Sequence, residues 1–284
     1  MDYHIPVLLT KVIEQLNPSP NKTYIDCTIG HGGHSQALLD KGAIVYGVDV
    51  DQSNLKIATD RINNPNFHPI LGNFKDIKNI WQKYIGQPVD GILIDLGLSS
   101  NQQSESGRGF SFNDNQSIDM RLDPLNQETS AQNIINTYDE TQLYLLFSKV
   151  AQEQFARPLA QKIITTRQKK SIKTGTQLAT IIQDYYQSKH IRSAVDPATK
   201  IFMALRIETN NEFENLNLFL NDSRKIIKTD GIIAIISFHS GEDRIVKNFI
   251  KKNNFKTNRF LPTQAEIKTN HLSRSAVLRT YTIN

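Results

Sequence analysis

The sequence is poor in cysteine and contains no long hydrophobic segment. Cys27 is the only cysteine in 284 residues, which excludes an intrachain disulfide and a cysteine-rich zinc site and favours a reducing compartment. The longest apolar runs, near Ile92–Leu98 and Ile232–Phe238, are far shorter than the roughly 20 residues that a membrane-spanning helix needs. The N-terminal residues lack the basic segment and the small-residue cleavage site of a secretory signal. These absences predict a cytoplasmic protein.

A strong charge of one sign is also missing. The 33 lysines and arginines exceed the 28 aspartates and glutamates by 5, which is compatible with a nucleic-acid partner but is weak evidence by itself. The 7 histidines are scattered without the spacing of metal ligands, so no metal is predicted. Hydrophobic residues make up 38% and charged residues 21%, which is typical of a globular protein and argues against whole-chain disorder or a coiled coil.

Short apolar runs alternate with helical stretches in the first part of the chain. The predicted strands are Thr23–Thr28, Ile44–Val50, Phe67–Leu71 and Val89–Leu96, and helices are expected over His34–Asp40 and Gln52–Ile62. Strand–helix–strand repetition of this kind indicates an α/β fold whose parallel sheet is covered on both faces.

The composition changes after the fourth strand. Gly97–Arg121 is rich in Ser, Gly, Asn and Gln and is typical of a long functional loop, and a polar helical pattern follows from Ser130 to about Tyr186. A further helical run is predicted over Ala198–Asn221, a strand over Gly231–His239, and a closing strand pair over Lys256–Phe260 and Val277–Ile283. We therefore expect a discontinuous α/β domain, residues 1–102 and 195–284, interrupted by a mostly helical domain over residues 103–194.

A glycine cluster and an acid follow the first two strands. The first strand runs into Gly30-His31-Gly32-Gly33-His34, and the second ends at Asp49. Glycines permit a tight turn and a close approach of the backbone to a ligand, and an acid at the end of the second strand can accept hydrogen bonds from ribose hydroxyls. The alternative is an ordinary turn in which Asp49 caps the helix that starts near Ser53. The combination favours a nucleoside site at the carboxyl edge of the sheet.

The details of this turn favour S-adenosylmethionine over a dinucleotide. The G-x-G-x-x-G fingerprint lacks its third glycine because Ser35 stands there, and S-adenosylmethionine has no pyrophosphate to hold. Asp26 could order the loop or meet the ammonium group of the cofactor. Phe74, after the third strand, could stack on adenine, although a core aromatic is an equally open interpretation.

Asp95, at the end of the fourth strand, is the first candidate for the chemistry. The amine of a base is a poor nucleophile because its lone pair is delocalised, and an acceptor beside it can help localise that pair and take up a proton. Ser99 and Ser100 follow as positioning groups, with a simple Asp-Ser capping turn as the alternative for either serine.

The motifs together resemble the bacterial ribosomal RNA small-subunit methyltransferase H family. The matching segments span nearly the whole chain: His4–Leu9, Tyr24–Ser35, Gly47–Asp51, Gly91–Gln102, Gly107–Phe112, Ile118–Asp123, Pro197–Glu212, Ile236–Phe249 and Ser273–Arg279. SFHSGEDR and GRGFSF are specific to this family rather than to the fold. Asp196 replaces the usual His before PATK, Cys27 replaces a usual glycine, and the residues Asn115–Ile118 depart from the usual lead into DMR.

The resemblance implies a Rossmann-like class I methyltransferase with an inserted helical domain for substrate recognition. It implies transfer of a methyl group from S-adenosylmethionine to the N(4) amine of a specific cytidine in the decoding region of 16S rRNA. It also implies cofactor contacts at Gly32, Gly33, His34, Asp49, Phe74, Asp95 and Gln102. The oligomeric state, monomer or homodimer, stays open.

Three further motifs suggest contacts with RNA. His239 or Ser240 could touch the cytidine while Arg244 holds a phosphate, although Glu242 and Asp243 can also simply begin a helix. The loop Gly107–Phe110 pairs an arginine with an aromatic residue and could stack on a base. The densest basic stretch, which could contact phosphates or be a solvated helix face, comprises Arg157, Lys162, Arg167, Lys169, Lys170 and Lys173.

Other classes of function fit the sequence less well. An NAD-dependent oxidoreductase would need the third glycine of the fingerprint, which this sequence lacks. A non-catalytic RNA-binding module would not need the full set of Gly32–His34, Asp49 and Asp95. A methyltransferase for another RNA or for a small molecule fits the first strands equally well, but a small-molecule substrate explains neither the basic helical segment nor the Arg/Phe loop.

Overall fold

The computed structural model describes residues 5–99, 102, 107–112 and 115–283, which form two compact units. The first unit comprises Met1–Ser99 and Phe213–Asn284, and the second comprises Ser100–Glu212. Ser100, to which the sequence assigned a positioning part, lies outside the described residues.

A seven-stranded sheet forms the centre of the first unit. Its strands are β1 (Thr23–Asp26), β2 (Ile44–Asp49), β3 (Phe67–Leu71), β4 (Val89–Asp95), β5 (Ile227–Ser237), β6 (Lys256–Phe260) and β7 (Val277–Thr282). The order across the sheet is β3-β2-β1-β4-β5-β7-β6. All pairs from β3 to β5 are parallel, and β7 runs antiparallel to both of its neighbours. The predicted α/β fold and its closing strand pair are confirmed.

Both faces of this sheet are buried, as its apolar strands predict. Ile92 and Ile94 of β4 pack into one hydrophobic cluster, and Leu93 between them packs into another. Because successive side chains of a strand point to opposite faces, these clusters lie on the two sides of the sheet. Burial on both faces leaves the carboxyl edge of the parallel strands for polar groups.

The helices, in chain order, are α1 (Leu9–Leu16), α2 (Gly33–Leu39), α3 (Gln52–Arg61), α4 (Ile77–Tyr84), α5 (Ala131–Thr137), α6 (Glu140–Leu145), α7 (Ala156–Lys169), α8 (Gly175–Ser188), α9 (Ala198–Asn210), α10 (Glu212–Ser223), α11 (Ser240–Lys252) and α12 (Gln264–Thr269). The helix predicted over Ala198–Asn221 is wrong in one respect, because Asn211 adopts a left-handed φ of 51° and divides it into α9 and α10. Within the described residues, no helix has both the length and the apolar character that a membrane crossing requires.

The second unit has its own hydrophobic core. Residues of α5 to α9 share one buried cluster, in which Phe147 and Leu159 are fully enclosed. Helix α9 belongs to this core through Ile201 and Phe202, and the compact unit therefore extends to Glu212, beyond the end predicted for the helical domain. The division of the chain into a methyltransferase domain and a substrate-recognition domain remains a prediction.

Candidate active site

The turn after β1 is tied to the end of β2 by the carboxylate of Asp49. The amide of Gly30 donates to Asp49 Oδ2 at 2.9 Å, and the amide of Asp51 donates to Asp49 Oδ1 at 2.8 Å. Burial raises the pKa of Asp49 to about 7, against the lowering effect of these hydrogen bonds. Asp51, not Asp49, caps α3 by accepting from the amide of Ser53 at 3.0 Å. The capping interpretation of Asp49 is therefore wrong.

Two glycines of the turn are required by their surroundings. Gly32 has a φ of 79°, which side-chain-bearing residues rarely adopt. A Cβ atom on Gly33 would lie 2.3 Å from Cγ of Pro6, so glycine lets the segment before α1 pack on the start of α2. The two glycines thus shape the strand-to-helix connection where the cofactor contact was predicted.

The next two residues connect this turn to buried acids. Ser35 Oγ donates to Asp26 Oδ2 at 2.7 Å, and His34 Nε2 lies 3.0 Å from the carbonyl oxygen of Val7. His34 Nδ1 lies 4.0 Å from Asp95 Oδ2. Burial raises the pKa of Asp26, while His34 and the Ser35 hydroxyl act in the opposite direction.

Asp95 closes β4 beside the end of β1. Its amide donates to Oγ1 of Thr28 at 2.7 Å, and its Oδ1 accepts from the amide of Gly97 at 3.0 Å. Burial raises the pKa of Asp95 to about 6, and the proximity of His34 limits the rise. A carboxyl group with this pKa can both accept and release a proton near neutral pH.

Negative charge accumulates at the carboxyl edge without a basic counterpart. Asp26, Asp49 and Asp95 end three adjacent parallel strands, and the pKa of each is raised. Among the residues that the structure describes, no lysine or arginine pairs with any of the three, and His34 is the only basic side chain near them. Carboxylates that lack a cation are stabilised by a positively charged ligand, so this edge fits a cationic group.

Ser99 reaches Asp49 through a residue that sequence reasoning missed. Ser99 Oγ donates to Oδ1 of Asn54 at 3.1 Å, and Asn54 Nδ2 lies 3.3 Å from Asp49 Oδ2. Asn54 is buried in α3. The sequence feature that could have identified it is a polar residue on the apolar face of a predicted helix. The structure thus brings Ser99, Asn54 and Asp49 together, while the proposed part of Ser99 in catalysis stays a prediction.

Phe74 lies at the same edge, after β3. It begins a 3-10 turn, Phe74–Asp76, and is only partly buried, with its ring in an edge contact with Phe219 at 6.0 Å between centroids. Packing against the hydrophobic core, which the core interpretation predicted, buries part of the Phe74 side chain. Its contact with adenine stays a prediction.

His239, after β5, begins a helix. His239 caps α11, where its Nδ1 accepts from the amide of Glu242 at 3.4 Å, and its Nε2 lies 3.0 Å from Glu242 Oε1. Asp243 pairs with Arg279 at 2.6 Å, whereas Arg244 is exposed. Glu242 and Asp243 therefore serve the helix start, as the structural alternative expected. Contact of His239 with a cytidine stays a prediction.

The motifs of the second unit are partly used inside that unit. Arg108 donates to the carbonyl oxygens of Arg121 and Leu122 at 3.1 and 3.3 Å, and Phe110 and Phe112 pack against the helical core. These contacts indicate that the loop stabilises the second unit rather than forming a free surface on which a base could stack. Gln102 belongs to the second unit, and its contact with the cofactor stays a prediction.

The basic stretch divides into two kinds of residue. Arg167 donates to the carbonyl oxygens of Ile135 and Tyr138 at 2.7 and 2.6 Å, and Arg157 lies 4.4 Å above the ring of Tyr144. The remaining members are exposed and form no ion pair within the described part of the chain: Lys162, Lys169, Lys170 and Lys173. The lysines are thus the members left for an external partner.

Sheet order and site together define the class of protein. A parallel sheet with antiparallel β7 inserted beside β5, and with acids ending β1, β2 and β4, is the architecture of a Rossmann-like methyltransferase. The sequence model of the MraW methylase family matches residues 1–262, and the chain belongs to that family.

Relatives with established names support this membership. The ribosomal RNA small subunit methyltransferase H of Thermosipho melanesiensis is 40% identical over 287 residues, covering 98% of this chain and 97% of the relative. The protein of the same name from Deinococcus radiodurans is 37% identical over 283 residues, covering 97% and 88%. A solved rRNA methylase from Streptococcus thermophilus overlaps 96% of this chain and 92% of its own, with a TM-score of 0.41 at 12% identity. The family model and the two methyltransferase H relatives confirm the family resemblance predicted from the motifs.

Proposed function

We propose that this protein transfers a methyl group from S-adenosylmethionine to the N(4) amine of a specific cytidine in 16S rRNA, within the small ribosomal subunit. The observation that carries the proposal is the set of acids around the glycine turn that have no lysine or arginine partner among the described residues, in a chain of the MraW methylase family. The names of the relatives, which specify the small-subunit RNA, support the substrate. The protein is expected to act in the cytoplasm, where ribosomes are assembled.

The residues at the edge fit the cofactor chemically. S-adenosylmethionine supplies an activated methyl group on a positively charged sulfur and also carries an ammonium group. Asp49 is the candidate for the ribose hydroxyls, because a carboxylate can accept from both, and Asp26 and Asp95 provide the negative charge that a cation needs. Gly32, Gly33 and His34 border the same turn, and Phe74 is the candidate for the adenine face.

Asp95 is the residue proposed to handle the proton. When the methyl group passes to N(4), the carbon–sulfur bond breaks and its electron pair stays on sulfur. The methylated amine then carries an extra proton, which must leave for the product to be neutral. With its pKa at about 6, Asp95 is mostly ionised at neutral pH and can accept that proton. Ser99, Ser100 and His239 remain candidates for positioning the base.

The lysines of the helical unit are proposed as contacts with the RNA backbone. Lys162 and Lys169 are seven residues apart in α7 and so share one face of that helix, and Lys170 and Lys173 follow its end. All four side chains are exposed. Exposed lysines that neutralise phosphates release counterions, which makes binding favourable and dependent on salt. The arginines of the same stretch are excluded from this set because Arg157 and Arg167 already have partners inside the unit.

The acids also weigh against one competing class. A nicotinamide dinucleotide brings a pyrophosphate to the glycine turn, and carboxylates without cations repel it. Methylation of another RNA or of a small molecule remains the alternative. The exposed lysines favour a polyanionic substrate over a small molecule.

Labelled methyl transfer tests the proposal directly. The pure protein is incubated with methyl-labelled S-adenosylmethionine and unmodified small ribosomal subunits, and the rRNA is digested for mass spectrometry. We expect label in N(4)-methylcytidine, and none with the Asp95→Ala variant.

Two other outcomes are informative. Cofactor binding without label in rRNA rejects the rRNA substrate and leaves a methyltransferase of another substrate. Failure to bind S-adenosylmethionine rejects the cofactor site itself.

A further inference from the structure

His34 lies between a carbonyl group and a carboxyl group. Its Nε2 is 3.0 Å from the carbonyl oxygen of Val7, and its Nδ1 is 4.0 Å from Asp95 Oδ2. A carbonyl oxygen can only accept, so Nε2 must carry a hydrogen to make this bond. The neutral ring then has its lone pair on Nδ1, on the side of Asp95.

The carbonyl of Val7 is held in place from the opposite end of the chain. Glu266 Oε1, in α12, accepts from the amide of Leu8 at 2.6 Å, and Asn270 Nδ2 donates to the carbonyl oxygen of Ile5 at 2.8 Å. Pro6, between them, packs on Gly33. The segment Ile5–Leu8 is therefore fixed on both sides of the carbonyl that selects the tautomer of His34.

The surroundings of the pair limit where a proton can go. Asp95 Oδ1 is taken by the amide of Gly97, which leaves Oδ2 for exchange with His34. The other titratable groups that interact with the pair are Asp26 and Glu242, and Cys27 lies beside Asp26. Asp26 is itself engaged by the hydroxyl of Ser35 at 2.7 Å. A proton taken up by Asp95 thus has His34 Nδ1 as its nearest basic acceptor among the described residues.

We propose that His34 is a positioning residue that regenerates Asp95 after each methyl transfer by accepting its proton at Nδ1. The proposal rests on the proposed function of the same site. The proton lost by the methylated amine passes to Asp95 Oδ2 and then to Nδ1 of His34, while Nε2 keeps its hydrogen on the carbonyl of Val7. The imidazolium pairs with the carboxylate so formed until it releases the proton to solvent. The 4.0 Å gap must shorten in the reacting complex, as catalytic hydrogen bonds commonly do.

The pH dependence of kcat distinguishes a His34 that accepts a proton from a His34 that only packs in the fold. His34→Gln places an amide N–H where Nε2 stands, so it can keep the bond to Val7 but cannot accept a proton. We expect kcat to fall by about tenfold or more. His34 opposes the rise in the pKa of Asp95, so in its absence that pKa rises further and the acidic limb of the kcat profile moves to higher pH. The dissociation constant of S-adenosylmethionine should change much less than kcat.

Glu266 offers a matched pair of controls. Glu266→Gln keeps an oxygen that accepts from the amide of Leu8 and should leave kcat and its pH profile near the wild type. Glu266→Ala removes the acceptor, frees the segment that holds Val7, and should lower kcat in the same direction as His34→Gln but less. An unchanged pH profile in His34→Gln overturns the proposal.

The tautomer can be read without any activity assay. In the free wild-type protein, nitrogen NMR with labelled histidine should show that the neutral ring of His34 carries its hydrogen on Nε2. The Nδ1–H form overturns the proposal even where the variants fail to fold. If the wild-type protein methylates no rRNA, the proposed function is rejected. The NMR result still tests the tautomer of His34 independently of activity.

Discussion

The two units distribute their buried acids differently. In the α/β unit, Asp26, Asp49 and Asp95 carry raised pKa values and have no lysine or arginine partner among the described residues. In the helical unit, buried Glu153 accepts from the hydroxyl of Tyr186 at 2.7 Å and from the amide of Phe155 at 2.9 Å. Three such acids that meet at one edge of a sheet suit a charged ligand, whereas the hydrogen bonds of Glu153 join two segments of its own unit.

The same contrast separates residues that a sequence motif groups together. Arg167 and Lys169 belong to one basic stretch, yet Arg167 closes the end of α5 through two carbonyl oxygens and Lys169 is exposed. A basic side chain whose donors are taken by internal carbonyl groups, as in Arg167, is less available to an external partner. Among the described residues, acids without a lysine or arginine partner in one unit and lysines without an ion pair in the other are the candidates for function.

The largest expected effect comes from Asp95→Asn, which removes the charge and keeps the acceptor for Gly97. Methyl transfer should fall by roughly 10²–10⁴-fold because the proton acceptor is lost.

The same variant also tests the effect of Asp95 on stability. A raised carboxyl pKa means that stability is lost as pH rises from the unfolded value, 3.8, towards about 6. The variant should therefore be more stable than the wild type at pH 8, by about 3 kcal/mol, and close to it near pH 3. Thermal unfolding at the two pH values checks this, and a loss of stability at pH 8 would contradict it.

A smaller effect is expected from Asp49→Ala. The carboxylate organises the amides of Gly30 and Asp51 and is the candidate for the ribose, so its loss should weaken S-adenosylmethionine binding by about 100-fold, or about 3 kcal/mol. Isothermal titration calorimetry measures the affinity. Asp60→Ala, on the exposed end of α3, is the matched control and should bind as the wild type does.

The pH dependence of cofactor binding sharpens the comparison further. Asp49 and Asp95 become protonated as pH falls through about 7 and about 6, so the attraction for a cation weakens. From pH 8 to pH 5.5 the affinity for S-adenosylmethionine should fall by about tenfold. S-adenosylhomocysteine, which lacks the charge on sulfur, should lose distinctly less. Parallel curves for the two ligands would contradict the charge argument.

The smallest effect is expected from the surface of the helical unit. Lys169→Gln with Lys170→Gln should weaken rRNA binding severalfold near 0.1 M salt and reduce the slope of affinity against salt by about one to two. The unfolding temperature should stay unchanged, because both lysines are exposed.

Arg167→Gln is the contrasting control. It should cost about 1–3 kcal/mol of stability, since two carbonyl groups lose their donor, and leave the salt slope as it is. The opposite pattern, stable Arg167→Gln with an altered salt slope, would break the distinction between the two residues.

Local patterns were sufficient for the sheet and for the edge of the site. The strands over Phe67–Leu71 and Lys256–Phe260 have the predicted bounds, because each is short, extended and bordered by turn residues. Asp49 and Asp95 were identified because an acid at the end of a buried parallel strand must lie at the carboxyl edge. Periodicity failed at Asn211, where a single left-handed residue divides a helical pattern without a glycine or proline to announce it.

The sequence by itself determined the α/β class, the glycine turn, the acids at the strand ends and the family. Tertiary structure alone decided which of the described charged residues form ion pairs inside the fold. His34 has two partners: Val7, from the segment before α1, and Asp95, from the end of β4. Glu266 in α12 fixes the segment that contains Val7. Such contacts join residues that are far apart in the chain, so no local pattern predicts them. They depend on how the packed strands and helices bring those segments together.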